Sequence, residues 1–138
     1  MSAPDENKST LLVETLFVAL GGGLGTLSRQ GLNISLFWEP FPLSTVVENL
    51  SGAFLLGLLV AYLATHARSP VWMRSGIGVG FLGGFTTMST FAADFILVAL
   101  YQDLGLGLIY IALSLVGGLV MASGGLRLGQ SLFERRDI

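Results

Sequence analysis

Residues 76–91 read Gly-Ile-Gly-Val-Gly-Phe-Leu-Gly-Gly-Phe-Thr-Thr-Met-Ser-Thr-Phe, in the middle of an apolar stretch that runs roughly from Val71 to Leu100. The stretch is long enough to cross a bilayer as a helix, which takes about 20 residues. Its centre is unusual: the adjacent Gly83 and Gly84 are followed by Thr86, Thr87, Ser89 and Thr90. Paired glycines and hydroxyls make a poor uninterrupted lipid-facing helix, so the pattern predicts a third helix broken near its centre. A break frees backbone carbonyls, and hydrocarbon tolerates these only where protein, water or an ion satisfies them. Inward-pointing carbonyls suit a small hard cation. The alternative is that the hydroxyls bond back to their own helix and nothing breaks.

Three further apolar stretches flank this one, at roughly Leu11–Leu36, Leu43–Ala64 and Leu104–Phe133. The chain of 138 residues is 52% hydrophobic and only 12% charged, with a mean hydropathy of +0.74, which excludes a soluble domain. These features predict an all-α integral membrane protein of the cell (plasma) membrane with four transmembrane helices. A polar N-terminal tail (1–10) and a charged C-terminal tail (134–138) would flank a single transmembrane domain (11–133). The first stretch follows Asp5, Glu6 and Lys8 and is too long and glycine-interrupted for a cleavable signal, so it counts as a span.

Several function classes fall away on the same residues. There are no cysteines, and the only histidine, His66, lies in a connection where it reads as an exposed turn residue. No nucleophile–base pair or metal-ligating side-chain set occurs in the spans, so an enzyme is not expected. The run Gly21-Gly-Gly-Leu-Gly25 has no preceding strand and is no nucleotide loop. Nothing in the chain points to nucleic acid. A four-helix multidrug exporter would carry a membrane-embedded glutamate in its first span, whereas Glu14 sits at that span's edge and Glu48 is in the second.

Polar groups inside the spans are functional candidates, because hydrocarbon offers them no partner. Thr45, Asn49, Ala53, Gly57 and Ala61 recur every four residues and form one small, partly polar face; Tyr110, Ser114, Gly118 and Ala122 do the same on the fourth span. Mid-helix glycines at 21, 25, 52, 57, 117, 118, 124 and 125 predict close helix packing. The hydroxyls and the asparagine amide can all donate hydrogen bonds, and aromatic ring edges such as that of Phe91 carry partial positive charge. Neutral donors of this kind can strip water from a small, strongly hydrated anion without trapping it.

With these residues in view, the sequence resembles the Fluc (CrcB) family of fluoride channels. The resemblance rests on Gly80-Phe-Leu-Gly-Gly-Phe-Thr-Thr-Met-Ser-Thr-Phe91 and Phe41-Pro-Leu-Ser-Thr-Val-Val-Glu-Asn-Leu-Ser-Gly52, supported by Gly25-Thr-Leu-Ser-Arg29 and by Tyr110 with Ser114. It implies an antiparallel, dual-topology dimer in membrane lipid, with two fluoride pores at the subunit interface. It also implies a central structural sodium ion (Na+) held by backbone carbonyls of Gly83 and Thr86. Asn49 would be the pore-lining amide and Phe91 a fluoride-contacting aromatic. Met88, Ser89 and Thr90 would lie beside Phe91 on the pore, Thr45 would be a vestibule hydroxyl, and Tyr110 and Ser114 would form a polar track. Arg29 and Asp94 also fall on family positions. The implied activity is passive export of fluoride that enters as neutral HF and dissociates in the cytoplasm.

The chain departs from the family pattern at Met88, usually a phenylalanine, at Gly118, usually a serine, and at Glu48, usually apolar. Its charge distribution departs as well. With four spans, Lys8, Arg68, Arg74, Arg127, Arg135 and Arg136 lie on one side and only Arg29 on the other, six against one. The positive-inside rule then places both termini in the cytoplasm. A dual-topology chain should be nearly balanced, so a second expectation follows. The chain inserts one way and conducts only as a heterodimer with an oppositely oriented paralogous subunit, rather than as a homodimer.

Overall fold

The computed structural model describes residues 4–36, 41–66 and 68–133, with side chains from residue 8 onward. The described elements are all helical: α1 (Pro4–Ser35), α2 (Leu43–Thr65), a π-helical segment (Trp72–Leu82) that runs directly into a short α3 (Gly83–Phe85), α4 (Met88–Tyr101) and α5 (Leu104–Phe133). Four stretches are long and apolar enough to cross a membrane: Lys8–Ser35, Leu43–Thr65, Trp72–Tyr101 and Leu104–Phe133. The third of these comprises the π-helical segment, α3 and α4 together.

The helix limits have local causes. α1 is described from Pro4 onward, so the polar residues 4–10 are helical. The residues before Pro4 and the C-terminal tail with Arg135 and Arg136 lie outside the described residues. α2 ends where the His66 N–H closes on the Tyr62 carbonyl. His66 is exposed, and its ring stacks on Tyr62 with centroids 4.2 Å apart. Asp103 immediately precedes α5, and its Oδ1 accepts the Leu106 N–H at 3.0 Å, satisfying one of the free donors of the first turn.

α1 lies along the π-helical segment and α3, whereas α2 and α4 pack on α5. Glycines set both main contacts. A Cβ on Gly21 would run into the Gly76 carbonyl oxygen, and one on Gly25 into that of Phe81, so α1 meets the third span backbone to backbone. On the other side, a Cβ on Gly57 would strike the Ala122 carbonyl and one on Gly125 the Phe54 carbonyl. Such close approach is how helices gain van der Waals contact where lipid removes the hydrophobic driving force. Not every glycine serves this purpose: at Gly118 and Gly124 the space beside the backbone is open within the chain.

The buried centre is small. Val46, Phe91 and Tyr110 form it, with Phe41, Leu50, Phe95 and Ile111 packed around them. The Tyr110 ring lies 5.2 Å from Phe91 and meets Phe41 edge-on at 5.8 Å. Most other large apolar side chains face outward, as bilayer-spanning helices require.

Candidate functional site

The site is built around the third span, where Thr86 (φ −81°, ψ 155°) and Thr87 (φ −144°, ψ 126°) are both extended between α3 and α4. The backbone groups of Thr87 find their partners on another helix. Asn49 of α2 accepts the Thr87 N–H through Oδ1 at 2.9 Å and donates from Nδ2 to the Thr87 carbonyl at 3.0 Å. One amide side chain thereby supplies partners for both backbone groups of an extended residue at this depth, which hydrocarbon would leave unpaired. Thr87 itself caps α4: its Oγ1 accepts the Thr90 N–H at 3.2 Å and donates to Thr90 Oγ1 at 3.0 Å.

These two bonds change the carbonyls upstream. In an uninterrupted helix the N–H groups of Thr87 and Thr90 would donate to the carbonyls four residues earlier, those of Gly83 and Thr86. Both donors are diverted, one to Asn49 and one to the Thr87 hydroxyl. The Leu82 carbonyl, by contrast, keeps the Thr86 N–H at 3.0 Å and also takes the Thr86 hydroxyl at 2.9 Å. Gly83 is exposed and faces open space within the chain. Carbonyl oxygens whose helical donors are diverted, beside a glycine with no side chain to crowd them, are hard neutral oxygens of the donor type a small hard cation takes.

Two cavities adjoin the break. An open groove of about 260 Å³ is lined by Asn49, Thr86, Thr87, Met88, Phe91 and Ser114, among others. Ser114 Oγ is buried yet has no hydrogen-bond partner among the described residues, and Met88 is exposed along the groove. A larger cavity of about 660 Å³ is lined on its polar side by Gln30, Asn33, Thr45, Thr90 and Asp94. Thr45 Oγ1 donates to Asp94 Oδ2 at 2.7 Å there.

The residues singled out in the sequence therefore divide between two places. Asn49, Met88, Phe91 and Ser114 share the groove; Thr45 and Thr90 share the larger cavity. Tyr110 lines neither of these: it is fully buried, and its hydroxyl points to Asp94 Oδ2 at 3.4 Å. Ser89 is exposed, with its hydroxyl 3.4 Å from that of Thr87. Glu48, one residue from Asn49, is wholly buried, and neither carboxyl oxygen has a hydrogen-bond partner among the described residues. Sequence reasoning missed the pair of hydrogen bonds between Asn49 and the Thr87 backbone and the capping role of Thr87. The available signal was an amide, at once donor and acceptor, on the helix facing a Gly-Gly and Thr-Thr interruption.

Comparison with known proteins identifies the family. The profile of the family described as CrcB-like protein, Camphor Resistance (CrcB), matches residues 16–126. A Bacillus thuringiensis subsp. konkukian protein named fluoride-specific ion channel FluC 1 is 40% identical over 123 residues, spanning 87% of this chain and 90% of the relative. A Listeria innocua protein named fluoride-specific ion channel FluC 2 is 39% identical over 120 residues, 87% of this chain and 93% of the relative. A Bacillus subtilis protein named FluC 2 is 38% identical over 115 residues, 83% of this chain and 86% of the relative. Matches of this identity and coverage, on a chain with four helices fit to span a membrane, place it: it is a multi-pass membrane protein, and it belongs to the CrcB-like family.

Proposed function

We propose that this chain is a fluoride-selective passive channel that lets cytoplasmic fluoride out of the cell. It would work as an antiparallel dimer around a central sodium ion. The observation that carries this reading is the groove beside the break, where Ser114 presents a buried hydroxyl with no partner among the described residues and Phe91 presents a ring. An unused donor in a buried site is costly unless something accepts from it. A small dehydrated anion is such an acceptor, and the chain's relatives are named for fluoride.

The chain's own groups divide the work. Ser114 donates a hydrogen bond to the anion. Asn49 holds the break open through Oδ1 and one amide hydrogen, which leaves its second amide hydrogen for the groove. The Phe91 ring is fixed against Tyr110 at 5.2 Å, so its edge is held in place when the anion arrives. All these donors are neutral, so they orient the anion without binding it tightly enough to stop its exit. Thr45 and Thr90 provide hydroxyls in the larger cavity, the entry vestibule in this reading. Gly83 and Thr86 would hold sodium through the carbonyls whose helical donors are diverted; the ion would supply a fixed positive charge at the subunit contact.

The test is direct. Purified chain is reconstituted in liposomes loaded with potassium fluoride, valinomycin is added, and release is followed with a fluoride electrode against a chloride control. Rapid release of fluoride but not chloride supports the homomeric channel; release of both ions overturns the selectivity. The six-to-one charge bias favours a second reading, a subunit that conducts only beside an oppositely oriented paralogue. Silence of the pure chain, relieved by adding that paralogue, is its expected outcome.

A further inference from the structure

Glu48 has no part in the reading above, yet it is the most confined acid in the described structure. It sits on α2 with no exposed surface, and among the described residues neither carboxyl oxygen has a hydrogen-bond donor. The titratable and charged groups facing it are Arg29 from α1, Asp94 from α4 and Tyr110 from α5. Arg29 makes no salt bridge with it, since neither Glu48 oxygen has a partner, and Arg29 is itself partly exposed. Asp94 is a second acid, already served by the Thr45 hydroxyl at 2.7 Å and the Tyr110 hydroxyl at 3.4 Å. Those two donors are thus taken, and among the described residues no other donor reaches Glu48.

An ionised carboxylate needs donors or a bound cation once it leaves water, and the alternative is that it keeps a proton. No group of three or more potential metal-binding side chains occurs among the described residues, so a bound cation has no such cluster to hold it here. We propose that Glu48 is a proton-binding site inside each subunit and remains a neutral carboxylic acid while the channel conducts. The proton settles the orphaned oxygens and keeps negative charge away from Asn49, the next residue along α2. Loss of the proton would create a buried anion one residue from an amide of the groove. In a low-dielectric cleft that charge would lower the local concentration of a permeating anion about tenfold.

The chain contains five glutamates, at positions 6, 14, 39, 48 and 134, few enough to resolve individually. The full-length protein, labelled with carbon-13 at the glutamate carboxyls and held in lipid nanodiscs, is titrated from pH 5 to pH 9 and followed by NMR. One resonance is expected to stay at the protonated position at pH 7 while the other four move to the ionised one. That resonance should vanish in Glu48→Gln. All five at the ionised position at pH 7 would overturn the proposal, and this readout on the unaltered chain stands even if the variant fails to fold. A second measurement concerns flux and rests on the channel reading, which the resonance does not. Fluoride release should fall about tenfold between pH 7 and the pH at which the resonance moves, and Glu48→Gln should abolish that fall. A channel whose flux follows pH equally in both proteins would overturn the role of this proton in conduction.

Discussion

Asn49 and Ser114 both line the groove, yet they differ in what the chain already asks of them. Asn49 makes two hydrogen bonds to Thr87, at 2.9 and 3.0 Å, and the Ser114 hydroxyl makes none among the described residues. Removing Asn49 leaves a buried N–H and a buried carbonyl unpaired, each costing about 1–3 kcal/mol, so Asn49→Ala should lose about 2–4 kcal/mol of stability as well as flux. Ser114→Ala removes an unsatisfied hydroxyl, and its stability should stay within about 0.5 kcal/mol of the parent. Its fluoride flux should nevertheless drop roughly tenfold, since a hydrogen bond to a charged partner is worth about 1.5–3 kcal/mol. Thermal unfolding in detergent and liposome efflux, measured on both variants, separate the two roles. Equal flux in Ser114→Ala and the parent would show that the hydroxyl does not serve the anion. The sequence marked both residues as polar groups at membrane depth, but it could not show that one of them is occupied by the backbone of another helix.

At the scale of elements, the interruption of the third span was legible because glycines and hydroxyls cluster where hydrocarbon would favour aliphatic side chains. The π-helical geometry of Trp72–Leu82 was not. A wider turn leaves no mark in hydrophobic periodicity, and it coincides with the place where the α1 backbone comes close to Gly76 and Gly80. The glycine pattern was legible only in part. Gly57 and Gly125 lock α2 against α5, whereas a Cβ on Gly118 or Gly124 would meet nothing within 4 Å among the described residues, and on the sequence these four look alike. Gly57→Val should therefore push α2 from the Ala122 carbonyl and cost about 1–3 kcal/mol or more, because backbone cannot move aside as a flexible side chain can. Gly124→Ala, at an open position, should leave the melting temperature within a few degrees of the parent. Similar losses in the two variants would mean that a second subunit packs on the Gly124 face.

For the molecule as a whole, the chain buries little of itself: only 6% of the apolar window of the first span and 11% of the fourth lie inside it. Lipid or a second subunit must cover the remainder. Which subunit that is depends on orientation, and orientation depends on charge. Lys8, Arg68 and Arg127 are exposed, as positive residues that hold a topology against the membrane must be; Arg29, alone on the opposite side, is partly buried. A bias of six to one should insert nearly all copies with both termini in the cytoplasm. The chain has no cysteine, so Ser2→Cys and Ile138→Cys each create a single labelling site. In intact cells a membrane-impermeant maleimide should reach neither site, and after permeabilisation it should label both. If half of each were labelled from outside, the two orientations would be equally populated, a homodimer of opposed copies would form unaided, and the charge bias would carry no topological weight. If none were labelled, opposed pairing would require a different chain, and the groove at Ser114 and Met88 would be one half of a pore completed by that partner.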